Sequence, residues 1–171
     1  MYYLELLKFS LIFFLPAYFA NAMPVIASGL KIFPSLAKPI NEKVFGKTKT
    51  YRGFVVGTGA AILIGAILNY LGIYYYFEYE VNIWVLAFLL GFGALLGDLI
   101  KSFIKRRIGK KSGEPWVIFD QIDYVIGALL LSSVIMTPPI EVIITLLIIS
   151  PLLSLLANII AYTLKIKKVW W

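Results

Sequence analysis

Leu95-Leu96-Gly97-Asp98-Leu99-Ile100-Lys101-Ser102-Phe103-Ile104-Lys105-Arg106-Arg107-Ile108-Gly109-Lys110-Lys111-Ser112-Gly113-Glu114-Pro115-Trp116-Val117-Ile118-Phe119-Asp120-Gln121-Ile122-Asp123 is the stretch on which the rest of the chain turns. Asp98 lies inside an apolar helical run, six cations follow it, and Asp120 and Asp123 open the next apolar run. A carboxylate within a bilayer costs roughly 2.5 to 3.5 kcal/mol on insertion scales, so intramembrane acids are as a rule paired or functional. Three of them at one membrane face, around a cationic loop, point to a divalent metal and a phosphate-bearing substrate.

Working outward, composition sets the class. The 171 residues are 61% hydrophobic, with a mean hydropathy of +0.89, where a soluble domain is about 45 to 50% apolar. An all-α polytopic membrane protein is expected. With no Cys and no His, the usual zinc sites, a disulfide, a thiol nucleophile and a Ser-His-Asp relay are excluded. Chemistry is left to carboxylates, hydroxyls, Lys, Arg and bound metal. The net charge of +7 is compatible with nucleic acid, anionic lipid or nucleotide and by itself decides nothing, since Lys and Arg also set membrane topology; for a membrane protein of this kind nucleic acid is not an expected partner.

Phe9–Leu30, Phe54–Phe77 and Val142–Leu164 carry no charge and run 22 to 24 residues each, close to the roughly 20 a helix needs to cross a bilayer. Val81–Ile100 and Pro115–Ile140 match them apart from the three aspartates. A single membrane domain of five transmembrane helices is expected, at about 9–30, 54–77, 81–104, 115–137 and 140–164. Basic loops occupy 31–53 and 105–114. Pro16 and Pro24 should bend or break the first helix, with Asn21 between them placed to satisfy a freed carbonyl. The Ala20-Asn21-Ala22 imitation of a processing site follows an n-region holding Glu5 as well as Lys8, which favours a retained anchor.

Loop charges orient the bundle. Fifteen of the sixteen basic residues fall on one side, in the two basic loops, at Lys101 just before the second of them, and in the tail, while Glu78, Glu80 and Glu141 mark the opposite side. The positive-inside rule then places the N-terminus outside and the C-terminus in the cytoplasm, a multi-pass protein of the cell membrane. Tyr74, Tyr75, Tyr76, Tyr79 and Trp84 would form an outer aromatic belt, and Trp170 and Trp171 an inner one. Gly53, Gly57, Ala61 and Gly65 repeat every fourth residue, as do Ala87 with Gly91 and Gly93 with Gly97, the spacing of close helix contacts in lipid. Their packing is expected to bring Gly53 near Gly97, and so Lys49–Arg52 near Asp98.

Asp98, Lys101, Ser102 and Lys105 share a helical face, and so do Asp120 and Asp123. The bland alternatives are an Asp–Lys pair that neutralises itself and two acids in a wet helix mouth. The nearest cation preceding Asp120 in sequence is Lys111, so carboxylate repulsion is expected there and Asp120→Asn should relieve it.

Lys49-Thr50-Tyr51-Arg52-Gly53, then Leu96-Gly97-Asp98-Leu99 with Ser102 and Lys105-Arg106, then Gly109, Lys111, Gly113, Pro115 and Asp120-Gln121-Ile122-Asp123 resemble the CDP-archaeol synthase family of archaeal membrane cytidylyltransferases. They are more distantly similar to bacterial phosphatidate cytidylyltransferase, from which Gln121, Tyr124 and Arg52 depart. The resemblance implies transfer of CMP from CTP to an isoprenoid glycerol ether lipid phosphate (unsaturated archaetidic acid), with release of pyrophosphate. It implies Asp98, Asp120 and Asp123 as catalytic, magnesium-binding residues. It implies Lys49, Thr50, Arg52, Lys101, Ser102, Lys105 and Arg106 as substrate-binding residues, with Lys49, Arg52 and Lys105 on the β- and γ-phosphates. A homodimer is compatible with the sequence. The rival reading is a small cation-coupled transporter, which would also hold acids in wet helices, though no internal repeat is present.

Overall fold

The computed structural model describes residues 1–73, 81–116, 119–166 and 169. Among these, the regular elements are six α-helices and one short 3-10 turn, Pro34–Leu36. The helices are α1 (Tyr2–Gly29), α2 (Glu42–Phe45), α3 (Tyr51–Tyr70), α4 (Ile83–Arg107), α5 (Phe119–Ser132) and α6 (Ile140–Thr163). Of these, α1, α3, α4 and α6 are long and apolar enough to cross a membrane. The expected tyrosine belt, Tyr74–Tyr76 with Tyr79, and the terminal Trp170 and Trp171 lie outside the described residues; Trp84 is exposed.

Several expected boundaries shift. The first helix begins at Tyr2 rather than near residue 9, because Glu5 and Lys8 pair along its surface at 2.9 Å. It runs unbroken through Pro16 and Pro24, since each proline removes one hydrogen bond without ending the helix once its neighbours fill the gap; Pro16 is buried. Asn21 has no side-chain hydrogen bond among the described residues, so it does not take the role expected of it. The second long helix starts at Tyr51, where Thr50 caps it by accepting a hydrogen bond from the Gly53 N–H at 3.1 Å.

The third expected span is α4, opened by Asn82, whose side chain accepts from Trp84 and Val85 N–H groups. It continues to Arg107 because Lys105, Arg106 and Arg107 suit the negative end of the helix. Gly109, at φ 80°, stops it: its N–H reaches the Arg106 carbonyl and the Lys110 N–H the Lys105 carbonyl, a Schellman closure. The expected helix over 115–137 is realised as α5 alone, 14 residues and about 21 Å long. Ser132 and Ser133 turn their hydroxyls back to the Leu129 and Leu130 carbonyls, and Pro138-Pro139 then starts α6.

Small residues decide which helices touch. The α3 stripe does meet α4: a Cβ on Gly65 would strike Ala87, one on Gly91 would strike Ala61, and one on Gly57 would meet Leu95 at 3.0 Å. Gly97 does not join that seam. Gly53 faces Pro24 of α1, whereas Gly97 packs on the Asp123 carbonyl and Gly127, and Gly127 on Gly93. The expected Gly53–Gly97 approach is therefore replaced by a glycine crossing of α4 with α5. Behind it, Phe14, Ala17, Leu90, Tyr124, Val125 and Leu146 form a buried core shared by α1, α4, α5 and α6.

Candidate active site at the α4 and α5 crossing

Because Gly97 and Gly127 let two backbones nearly touch, the next turn of α4 brings Lys101 level with the first turns of α5. The Lys101 ammonium lies 3.0 Å from Asp98, 2.9 Å from Asp120 and 2.8 Å from Asp123. Lys105, one turn on, lies 3.2 Å from both Asp120 oxygens and donates to the Glu114 carbonyl. Lys49 pairs with the other oxygen of Asp98. Three carboxylates are thus matched by three ammoniums, and a neutral cluster can be buried where three bare acids could not.

Lys49 arrives by a route the sequence hid. The basic segment before α3 is folded: the Ile40 N–H donates to the Lys49 carbonyl at 2.8 Å and the Tyr51 N–H to the Lys38 carbonyl at 3.2 Å. Asn41 caps the short α2 between these two segments. This clasp fixes the backbone of Lys49 beside α4, so its expected proximity to Asp98 holds although the packing proposed for it does not. The loop after α4 is strapped as well, with Arg106 donating to the Lys111 carbonyl at 2.7 Å. The Lys111 N–H and, after it, the Lys110 ammonium hold the Glu114 carboxyl below its ordinary range.

Exposure grades across the cluster. The side chains of Asp123 and Lys105 are 7% and 8% exposed, against 23% for Asp98 and 28% for Asp120, so Asp123 is the floor and Asp98 and Asp120 the rim. The Trp116 N–H, 2.6 Å from Asp120, helps to orient that rim. Below the floor Tyr124 donates to the Ser150 carbonyl at 3.2 Å, and the Tyr18 and Ser150 hydroxyls stand 2.8 Å apart. Sequence reasoning missed these groups. Two of them act through backbone atoms, which no side-chain pattern reveals; Tyr18 and Ser150 were legible only as polar residues in apolar helices.

The remaining expected residues are not in the cluster. Thr50 spends its oxygen on the α3 cap, and among the described residues its hydroxyl proton meets no acceptor. Ser102 gives its proton to the Asp98 carbonyl at 2.8 Å, so it has none to offer a phosphate. Arg52 turns to α1, donating to Ser28 Oγ at 2.9 Å. Arg106 lines a separate cavity of about 240 Å³ with Lys43, Val44, Phe103 and Arg107.

A divalent cation suits the donor chemistry. The acids offer only hard carboxylate oxygens, and one oxygen of each surrounds a single cationic centre, the Lys101 ammonium. Among the described residues, however, no three Asp or Glu form a metal-ligand group by themselves. Magnesium prefers one or two carboxylates, with phosphate oxygens and water completing its shell. The residues therefore fit it together with a phosphate-bearing ligand.

A CarS-like family model, CDP-archaeol synthase, matches residues 3–171. The chain belongs to the CDP-archaeol synthase family. It is 43% identical to the CDP-archaeol synthase of Methanococcus aeolicus, covering 95% of each chain. It is 38% identical to that of Thermofilum pendens, covering 95% of this chain and 80% of the relative. A solved structure of an intramembrane enzyme for archaeal membrane lipid biosynthesis superposes with a TM-score of 0.73 at 30% identity, over 87% of this chain and 92% of that one. Membership in the CDP-archaeol synthase family makes the chain a multi-pass membrane cytidylyltransferase, and the transporter reading falls.

Proposed function

We propose that the aspartate–lysine cluster is where this chain transfers CMP from CTP to archaetidic acid, giving CDP-archaeol and pyrophosphate. The supporting observation is the meeting of Asp98, Asp120 and Asp123 on Lys101, with Lys49 and Lys105 beside them. A phosphate oxygen of the lipid forms a bond to the α-phosphorus of CTP. The bond from that phosphorus to the bridging oxygen breaks, and pyrophosphate leaves with the electron pair. The attacking oxygen is already anionic, so no general base is required, in keeping with a chain that has no His. What the protein must supply is position and compensating charge.

Lys49, Lys101 and Lys105 supply that charge by exchanging carboxylate partners for phosphate oxygens as CTP arrives. Asp98, Asp120 and Asp123 would hold magnesium jointly with those phosphates once Lys101 has moved aside. Magnesium would neutralise phosphate charge and orient the α-phosphate. The Thr50 hydroxyl proton is free to meet a phosphate oxygen. Arg106, with Lys43 and Arg107, adds an outer positive field that draws the nucleotide in from water.

Purified protein given CTP, magnesium and archaetidic acid should release pyrophosphate and form the CDP-lipid. Replacing CTP by ATP should remove most of the turnover, whereas changing the lipid chains should matter little, because a base is read by a few polar groups and a chain by apolar contact alone. Equal turnover of CTP and ATP would refute this account of the site.

The same reading includes five crossings, with α5 and its flanking residues as the fourth, the N-terminus outside and the C-terminus cytoplasmic. The charge asymmetry supports it. A reporter fused before Met1 should be accessible from outside and one after Trp171 only from the cytoplasm. Both on one side would mean that α5 does not cross.

A further inference from the structure

Two basic residues are buried among those described, Lys105 and Arg52. Lys105 faces Asp120. Arg52, 9% exposed, meets no carboxylate among the described residues; its Nη2 donates to a neutral hydroxyl, Ser28 Oγ, at 2.9 Å. A guanidinium cannot shed its charge, and burial of an uncompensated charge is avoided unless an anion completes the site. Among the described residues no acid pairs with it. Asp98, Asp120 and Asp123 are matched by Lys49, Lys101 and Lys105; Glu5 pairs with Lys8, Glu42 with Lys47 and Glu114 with Lys110. Glu141 opens α6. Among the described residues, Arg52 is a buried cation without a carboxylate partner.

Its position suggests what balances it. Arg52 is in the first turn of α3 and Ser28 in the last turn of α1, at the seam where Gly53 packs against Pro24. Ser28 is exposed, so the guanidinium lies one hydrogen bond from the surface, at the seam of two membrane-length helices. Lys49, three residues earlier, already reaches Asp98, and three residues span at most about 11 Å. We infer that Arg52, with Ser28, is the seat of the phosphate of the lipid acceptor, entering laterally between α1 and α3, while the nucleotide phosphates go to the lysines of the cluster. The planar fork of arginine suits two phosphate oxygens at once. This rests on the proposed reaction for its second substrate, yet it is separable from it.

The test uses the purified full chain and the variants Arg52→Gln, Arg52→Lys and Ser28→Ala. Calorimetry would follow a dialkylglycerol phosphate without nucleotide, the matching dialkylglycerol without phosphate, and a non-reactive CTP analogue with magnesium but no lipid. Arg52→Gln should weaken the lipid phosphate by about tenfold or more and raise its KM, leaving the CTP analogue and the phosphate-free lipid within about twofold. Arg52→Lys should recover only part of the loss, and Ser28→Ala should cost a few-fold. Weakening of the CTP analogue instead of the lipid would assign Arg52 to the nucleotide and overturn the inference, as would unchanged affinity for both. If Arg52→Gln does not fold, Arg52→Lys and Ser28→Ala decide: wild-type lipid affinity in both overturns it. A wild-type protein that binds the lipid phosphate through Arg52 but forms no CDP-lipid would remove the proposed reaction and leave this seat standing.

Discussion

Asp98→Asn, Asp120→Asn and Asp123→Asn are each expected to lower CDP-archaeol formation by about 100-fold or more, and any two together by little further. The reason is geometric. All three acids surround one ammonium, so losing one spoils the charge arrangement that the others complete, and residues acting as a unit are grossly non-additive. Pyrophosphate release from the three single and three double variants measures it. Additive losses would mean that the acids act separately and that the cluster is a structural ion-pair network.

The same variants test a correction. On sequence alone Asp120→Asn was expected to relieve repulsion between acids. The structure reverses that expectation, because the carboxylates are matched by Lys49, Lys101 and Lys105 and losing one leaves a positive charge unbalanced. Removing one partner of a fully buried pair costs about 3 to 5 kcal/mol. Asp123, the least exposed acid, should come closest to that range, while Asp120 at the rim should lose clearly less because water screens it. Thermal unfolding in detergent should order them so.

The second large effect should come from residues that bear no charge. Gly97→Ala and Gly127→Ala should each lower kcat by on the order of 100-fold. An added Cβ on Gly97 would meet the Asp123 carbonyl and the Gly127 Cα, and one on Gly127 would meet the Gly93 carbonyl and the Gly97 backbone. Backbone atoms cannot rotate aside, so α4 and α5 must part by roughly 1 Å to restore ordinary contact. That shift moves Asp120 and Asp123 away from Asp98 and Lys101, and misplacement by such a distance is enough for the expected loss. Gly59 is the control, since nothing lies within 4 Å of a Cβ there; Gly59→Ala should be active and no less stable. Wild-type kcat in Gly97→Ala would show that this crossing does not set the site.

The sequence by itself determined the membrane class, the existence of the helices and the identity of the charged groups. These are local or compositional properties: an apolar run long enough to cross a bilayer is visible residue by residue, and an acid within it is conspicuous because lipid makes it costly. The family was legible for a related reason, as Lys49–Gly53, Leu96–Leu99 and Asp120–Asp123 stand in a fixed order.

Tertiary structure alone decided the partners. Helical periodicity paired Asp98 with Lys101, but it could not show that Lys101 and Lys105 also serve Asp120, fifteen residues beyond Lys105, because that pairing depends on which face of α4 meets α5. The two glycine rows on α4 looked alike in sequence; Gly91 was used against α3 and Gly97 against α5, a choice made by the shapes of both neighbours. Helix lengths were overestimated where the ending depended on contacts, as at Ser132, and underestimated where polar residues continued the helix, as at Tyr2 and Arg107. Arg52 shows the division most sharply. Its sequence position places a cation beside Lys49, and only the packing of α1 on α3 buries it without a carboxylate, because counter-ion pairing joins residues distant in the chain.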